Sequence, residues 1–198
     1  MKNITLAIIL MISSFAFSES NTNKIDTTSF KSSLDNALYL SGINKDSALV
    51  ELKKIEKECT KSGYKSGLAE CYAQMGKLYK EIGNFPMALE TMTRSLNLYY
   101  ELQNKEGIAS QKLSIGAVYV HLSAYSRAKQ YIHQSLEYYE GTEKHYALGG
   151  AYMTMSGLYI YLKDYQLGKE YIDKAILHFE KINYTPGICG CLLNQAVI

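Results

Sequence analysis

The sequence has no tryptophan, two prolines and almost no net charge. Each shortage narrows what the chain is able to be. Pro86 and Pro186 are the only two residues that would break a helix by removing a backbone donor, so long helices are open to most of the sequence. Lys and Arg number 21 against 19 Asp and Glu, a formal charge of +2. A nucleic-acid binder needs a clustered basic face to neutralise phosphates, and nothing of that kind stands out. The lysines are interleaved with glutamates, as on a solvated helical face. No P-loop, dinucleotide fingerprint or serine elbow is present. No catalytic residue, metal ligand set or cofactor is therefore expected, and an enzyme is not the reading.

Long apolar runs are also lacking, with one exception at the N-terminus. Met1-Lys2-Asn3 is a short basic start, and Ile4 to Phe17 is apolar except for Thr5, Ser13 and Ser14. Ala16-Phe17-Ser18 then supplies small residues at the two positions a signal peptidase reads. The run is about fourteen residues, against the roughly twenty a spanning helix needs. We read residues 1–18 as a signal peptide cleaved near Ser18-Glu19, and residues 19–31 as a flexible linker. The alternatives are an uncleaved N-terminal anchor and a buried first helix. The mature part is expected to be exported, to periplasm or medium, with no membrane span of its own.

What is abundant is internal likeness. The chain repeats with a period of forty residues and needs no insertion, as the column Gly76, Gly116, Ser156 shows. Other columns are Tyr79, Tyr119, Tyr159; Ala88, Ala128, Gly168; and Tyr99, Tyr139, Phe179. Within a unit, Leu68, Tyr72, Met75, Leu78, Tyr79 and Ile82 recur at three and four, one face of a helix. Gly83-Asn84 ends it, since both residues tolerate a left-handed backbone. Pro86 fits the first turn of the next helix, near Phe85 to Leu102. Each unit is thus two helices, and one pair cannot bury its own apolar stripe, so pairs must stack.

The four cysteines and four histidines carry little chemistry. Cys59 and Cys71 lie nearly symmetrically about the turn at Ser62-Gly63. Two packed thiols are preferred over a disulfide, because facing helices often hold their Cα atoms too far apart. Cys189-Gly190-Cys191 lacks the gap of a redox or zinc motif and is read as packing. Of the histidines only His133 has a helical neighbour, Glu137, and surface roles are expected for all four.

These columns resemble the tetratricopeptide repeat (TPR). Its small residue, Tyr, turn aromatic and Ala read here as Gly76…Tyr79…Asn84-Phe85…Ala88, Gly116…Tyr119…Tyr125…Ala128 and Ser156…Tyr159…Asp164-Tyr165…Gly168. A weaker first unit reads Asn36…Tyr39…Asn44…Ala48…Leu52…Ile55. The family period is about 34 rather than forty, and its early Trp is replaced by Tyr72, Lys112 and Tyr152. Units of this length look like the long-helix bacterial variant. The resemblance implies an all-α, right-handed superhelical solenoid of antiparallel helix pairs over 32–198, with three full repeats beside a weak first or truncated last unit. It also implies a concave groove lined by the first helix of each unit. By column those residues are Ala73, Lys77 and Lys80, then Leu113, Ala117 and His121, then Met153, Gly157 and Tyr161. The groove would shift from polar and basic to apolar along the array. The partner would be a protein or peptide.

The array reaches Ile198 without a polar capping helix, so continuation of the chain or cover by a partner is expected there. The expected function is a protein–protein interaction scaffold. The alternative is the sensory N-terminal fragment of a membrane-bound signalling protein, a histidine kinase or a transcription regulator.

Overall fold

The structure, a computed structural model, describes residues 27–198. The expected signal peptide, its cleavage point and residues 19–26 of the expected linker lie outside the described residues. Among the described residues there are helices and no strands. They run as α1 (Thr27–Ser41), α2 (Lys45–Ser62), α3 (Lys65–Glu81), α4 (Phe85–Glu101) and α5 (Lys105–His121). Then follow α6 (Tyr125–Tyr139), α7 (His145–Tyr161), α8 (Tyr165–Glu180) and α9 (Thr185–Gln195). Short turns send each helix back along the one before. The most extensive packing is within the pairs α3–α4, α5–α6 and α7–α8. The chain is an all-α helical repeat solenoid.

The turns explain why each helix stops where it does. Gly83 sits at φ +80°, where a glycine carries no steric penalty. The later turns take the same left-handed step without glycine, at Gln103, Ser123, Lys163 and Asn183, with φ from 52° to 61°. Each costs of the order of 1 kcal/mol, which the repeat packing on both sides offsets. After three of these turns the next helix starts on a side-chain cap, while α6 and α9 start at Ala124 and Tyr184 without one. Asn84 Oδ1 accepts from Met87 N at 3.3 Å, Asn104 Oδ1 from Gly107 N at 2.9 Å and Asp164 Oδ1 from Leu167 N at 3.2 Å. The α6–α7 connection departs from this pattern. It is longer, and Thr142 folds back so that its N–H and Oγ both donate to Tyr139 O at 2.8 Å.

The core follows the columns. Ala48, Ala88 and Ala128 are fully buried where helices of a pair cross. Gly76 is held to glycine by packing, since a Cβ there would lie 2.5 Å from Met92 Cγ. The buried side chains form two clusters, one spanning α1 to α5 and one spanning α5 to α9, which meet on α5. Cys191 of α9 is the last member of the second.

Two expectations need correction here. The expected linker reaches residue 31, yet 27–31 already belong to α1. Phe30 is the cause: its ring meets Tyr64 edge-on at 5.2 Å and so holds a polar-looking stretch in helix. Ile82 is expected on the apolar face of α3, but it follows the helix and is 45% exposed. No helix of the described residues is long and apolar enough to cross a membrane.

Candidate functional site

A cavity of about 680 Å³ runs along the inner side of the solenoid. Its floor is made by α3, α5, α7 and α9, the first helices of successive units. The column Tyr99, Tyr139 and Phe179, from the ends of α4, α6 and α8, supplies one wall. Tyr146 and Tyr184 close it on the other side of Phe179, with their rings edge-on at 5.1 Å. The neighbouring Tyr146 side chain raises the Tyr184 pKa.

The chemistry of the wall changes from unit to unit at equivalent positions. In the first, the Tyr99 hydroxyl donates to Glu70 Oε2 at 3.0 Å. Burial, then the Glu70 charge, pushes the Tyr99 phenol well above its usual value. In the second, Tyr139 reaches only Glu106 O, at 3.5 Å, and its α5 neighbour is Ser110. Burial first, then Glu106, pushes that phenol up to about 12. In the third, Phe179 has no hydroxyl and Gly150 stands where Glu70 and Ser110 stood. Polarity drops along the groove: the carboxylate is lost first, at Ser110, and at Phe179 and Gly150 hydroxyl and acceptor are both gone, so that stretch of wall carries no unpaired polar group.

One cation faces the polar end. Lys80 is half-buried on the cavity wall, and desolvation lowers its pKa, with Lys77 adding repulsion and Glu81 opposing. No ion pair to Lys80 is formed among the described residues. Glu106, by contrast, is matched by Lys144 Nζ at 3.1 Å.

Of the residues expected in the groove, Lys80, Leu113, Ala117 and Met153 line the cavity. Five do not. Lys77 projects into solvent beside a shallow notch shared with Ala37 and Ser41. Ala73 is half-buried and off the wall. His121, the last residue of α5, lies flat on Phe85 at 5.3 Å. Tyr161, the last of α7, stacks on Tyr125 at 6.4 Å. Gly157 borders open space, since a Cβ there would meet nothing within 4 Å. The cavity follows the first halves and middles of α5 and α7, reaches Ala117 on α5, and meets the end of α3 at Lys80. Toward the ends of α5 and α7, aromatics from the first turns of α4 and α6 cover the surface instead. Sequence reasoning misses Glu70, Tyr99, Ser110, Tyr139, Tyr146 and Tyr184. The column Tyr99, Tyr139, Phe179 is visible in the sequence, but its spacing there reads as core.

The thiols and imidazoles divide between packing and surface. Cys59 and Cys71 are free and buried, so the disulfide does not form. Cys71 Sγ instead donates to Leu52 O at 3.1 Å, and burial pushes its pKa up to about 12. Cys191 packs, but Cys189 is exposed and does not. His133 and Glu137 form an exposed pair at 3.3 Å. A second imidazole contact joins two helices: His145 Nδ1 and His178 Nδ1 are 3.0 Å apart. Thirty-three residues separate them in sequence, so no helical spacing could have revealed the pair. No group of three or more metal-ligating side chains occurs among the described residues.

No protein-family model matches the chain, and no curated protein does. Among solved structures, the crystal structure of BtubC (BKLC) from P. vanneervenii is similar, with a TM-score of 0.57 at 14% identity. The match covers 86% of this chain and 82% of that one. At that identity the likeness is one of fold.

Proposed function

We propose that the chain is a protein-binding scaffold that holds a peptide or helix of a partner in its concave groove, and that it performs no catalysis. The observation that carries this reading is the inner cavity itself. It is elongated across four repeats, apolar at one end, and carries a half-buried cation without an ion-pair partner at the other. Its volume of about 680 Å³ suits a run of side chains. Gly150 adds support. It is an interior helix position where a Cβ would meet nothing within 4 Å, so no packing inside the chain calls for glycine. A glycine there costs helix stability of about 1 kcal/mol against Ala, and it leaves room for a partner's backbone to approach.

We further assign the repeats to the tetratricopeptide family, in its long bacterial form, and place the mature chain outside the cytoplasm. The columns and the helix pairs support the first assignment, and the three-part N-terminus supports the second.

The test is site-specific photo-crosslinking in the native host. A photoreactive residue at Ala147 on the cavity wall should give a discrete crosslinked partner, and the same residue at exposed Lys53 should not. The Met153→Glu variant should abolish the crosslink. Equal labelling at both positions, or indifference to Met153→Glu, would sink the groove as the binding surface. N-terminal sequencing of the same material checks export, with Glu19 as the expected first residue.

A further inference from the structure

The His145–His178 contact lies at a structurally sensitive place. His145 opens α7 and His178 stands near the end of α8. The next residue after each, Tyr146 and Phe179, lines the groove. Both also touch Tyr184, at 5.1 and 5.5 Å between ring centres. The imidazole contact therefore sits directly behind the apolar end of the cavity.

Its geometry is that of a hydrogen bond and not of a chelate. The ring centres are 5.2 Å apart, nearly the full length that a head-on contact of 3.0 Å between two ring nitrogens allows. The two nitrogens point at each other and not at a shared third point, where a metal would sit. A head-on contact has a definite proton count. In the neutral pair one ring donates its Nδ1 hydrogen to the bare Nδ1 of the other. One added proton makes the donor an imidazolium and keeps the bond, now charge-assisted. A second proton puts hydrogens on both facing nitrogens, and the contact becomes repulsive.

The surroundings do not rescue the doubly protonated state. Tyr152 of α7 stacks on His178 at 5.6 Å, and its hydroxyl is already committed to Glu140 Oε1 at 2.8 Å. Lys174 of α8 lies over the Tyr152 and Tyr171 rings, at 5.6 and 5.2 Å. Lys181, beyond α8, adds positive charge toward His178. From the α6–α7 connection, Glu143 O accepts from the His145 backbone N–H at 2.9 Å, and Lys144 is turned away to Glu106. Glu140 is the carboxylate in this shell, and it is held by Tyr152.

We propose that His145 and His178 form a proton-operated latch behind the groove: the first proton keeps the two rings joined, and the second parts them and frees the α7–α8 corner that holds Tyr146 and Phe179 against Tyr184. The His178 pKa is lowered, by burial first and then by His145 and Lys181. The latch does not depend on what occupies the groove.

An NMR titration of the full chain between about pH 7.5 and about pH 5 tests it. Imidazole shifts of His145 and His178 are followed together with the cross-peaks between the Tyr146 and Tyr184 rings. The expected result is two coupled steps. The Tyr146–Tyr184 cross-peaks should vanish at the second step while α1–α4 amides stay protected. In His145→Asn the His178 titration should move up, because the opposing charge of His145 is removed. The control His133→Asn should leave it in place. Independent titrations, an unmoved His178 in His145→Asn, or cross-peaks that survive both steps would overturn the proposal. Loss of structure throughout the chain at the second step would overturn it as well.

Discussion

The α3–α4 pair and the α7–α8 pair are built on the same columns, yet their corners are closed by different chemistry. At the first, Lys65 Nζ meets Glu101 Oε2 at 2.8 Å across exposed surface, and Tyr99 is anchored to Glu70. At the second, His145 takes the Lys65 column but meets His178 from a different column, and Phe179 replaces the tyrosine. The first corner is closed by an ion pair and a tyrosine–carboxylate hydrogen bond. The second has a charge that depends on pH and a wall that depends on packing alone. One backbone plan thus supports a rigid polar end and a titratable apolar end of the same groove.

Breaking the apolar corner should have the largest effect. Phe179 is 2% exposed and touches Tyr184 and the floor at Gly149. Phe179→Ala should cost about 3–5 kcal/mol, from lost burial and the cavity left behind, read by chemical denaturation. At the polar corner the wall is held by a hydrogen bond to a carboxylate. Tyr99→Phe should cost about 1.5–2 kcal/mol, and Tyr139→Phe clearly less, since its hydroxyl reaches Glu106 O only at 3.5 Å. Equal losses in the two variants would show that the drop in polarity along the wall has no energetic meaning.

Gly150→Ala moves in the other direction. A Cβ there is unopposed, so stability should rise by about 1 kcal/mol. The same variant should weaken partner binding if the groove receives a closely approaching chain.

Acid should separate the two corners without any mutation. The folded pKa of His178 lies below its unfolded value of about 6.5. The native state then binds fewer protons than the unfolded one, and stability falls with falling pH. The contribution is whole above that unfolded value and is lost as pH falls through the lowered native value. Amide exchange should report this loss first in α7 and α8. The smallest effect is expected from Lys65→Ala, less than about 1 kcal/mol, because both partners of that pair are more than half exposed. A larger loss would mean that the polar corner is not simply held by Tyr99 and Glu70.

Much of this is legible without any coordinates. Gly76, Gly116 and Ser156 mark the close crossings, and Gly83-Asn84 marks a turn, because sterics and capping act over a few residues. Leu113, Ala117 and Met153 follow from the groove that the family resemblance implies, carried along the columns. His121 and Tyr161 occupy equivalent columns and still fail, since what covers them, Phe85 and Tyr125, comes from a neighbouring helix. Tyr99 and Tyr139 read as core because a tyrosine that packs and one that walls a cavity have the same spacing. The polar look of Thr27 to Lys31 hides a helix that Phe30 secures from outside.

The sequence by itself determined the helices, their period and their stacking, because these rest on local backbone preferences and on an apolar stripe that recurs every forty residues. Only the tertiary structure decided where the groove is deep, that Cys71 donates to Leu52 instead of bridging to Cys59, and that His145 faces His178. Those outcomes depend on side chains brought together from different helices, and their separation along the chain carries no signal of their distance in space.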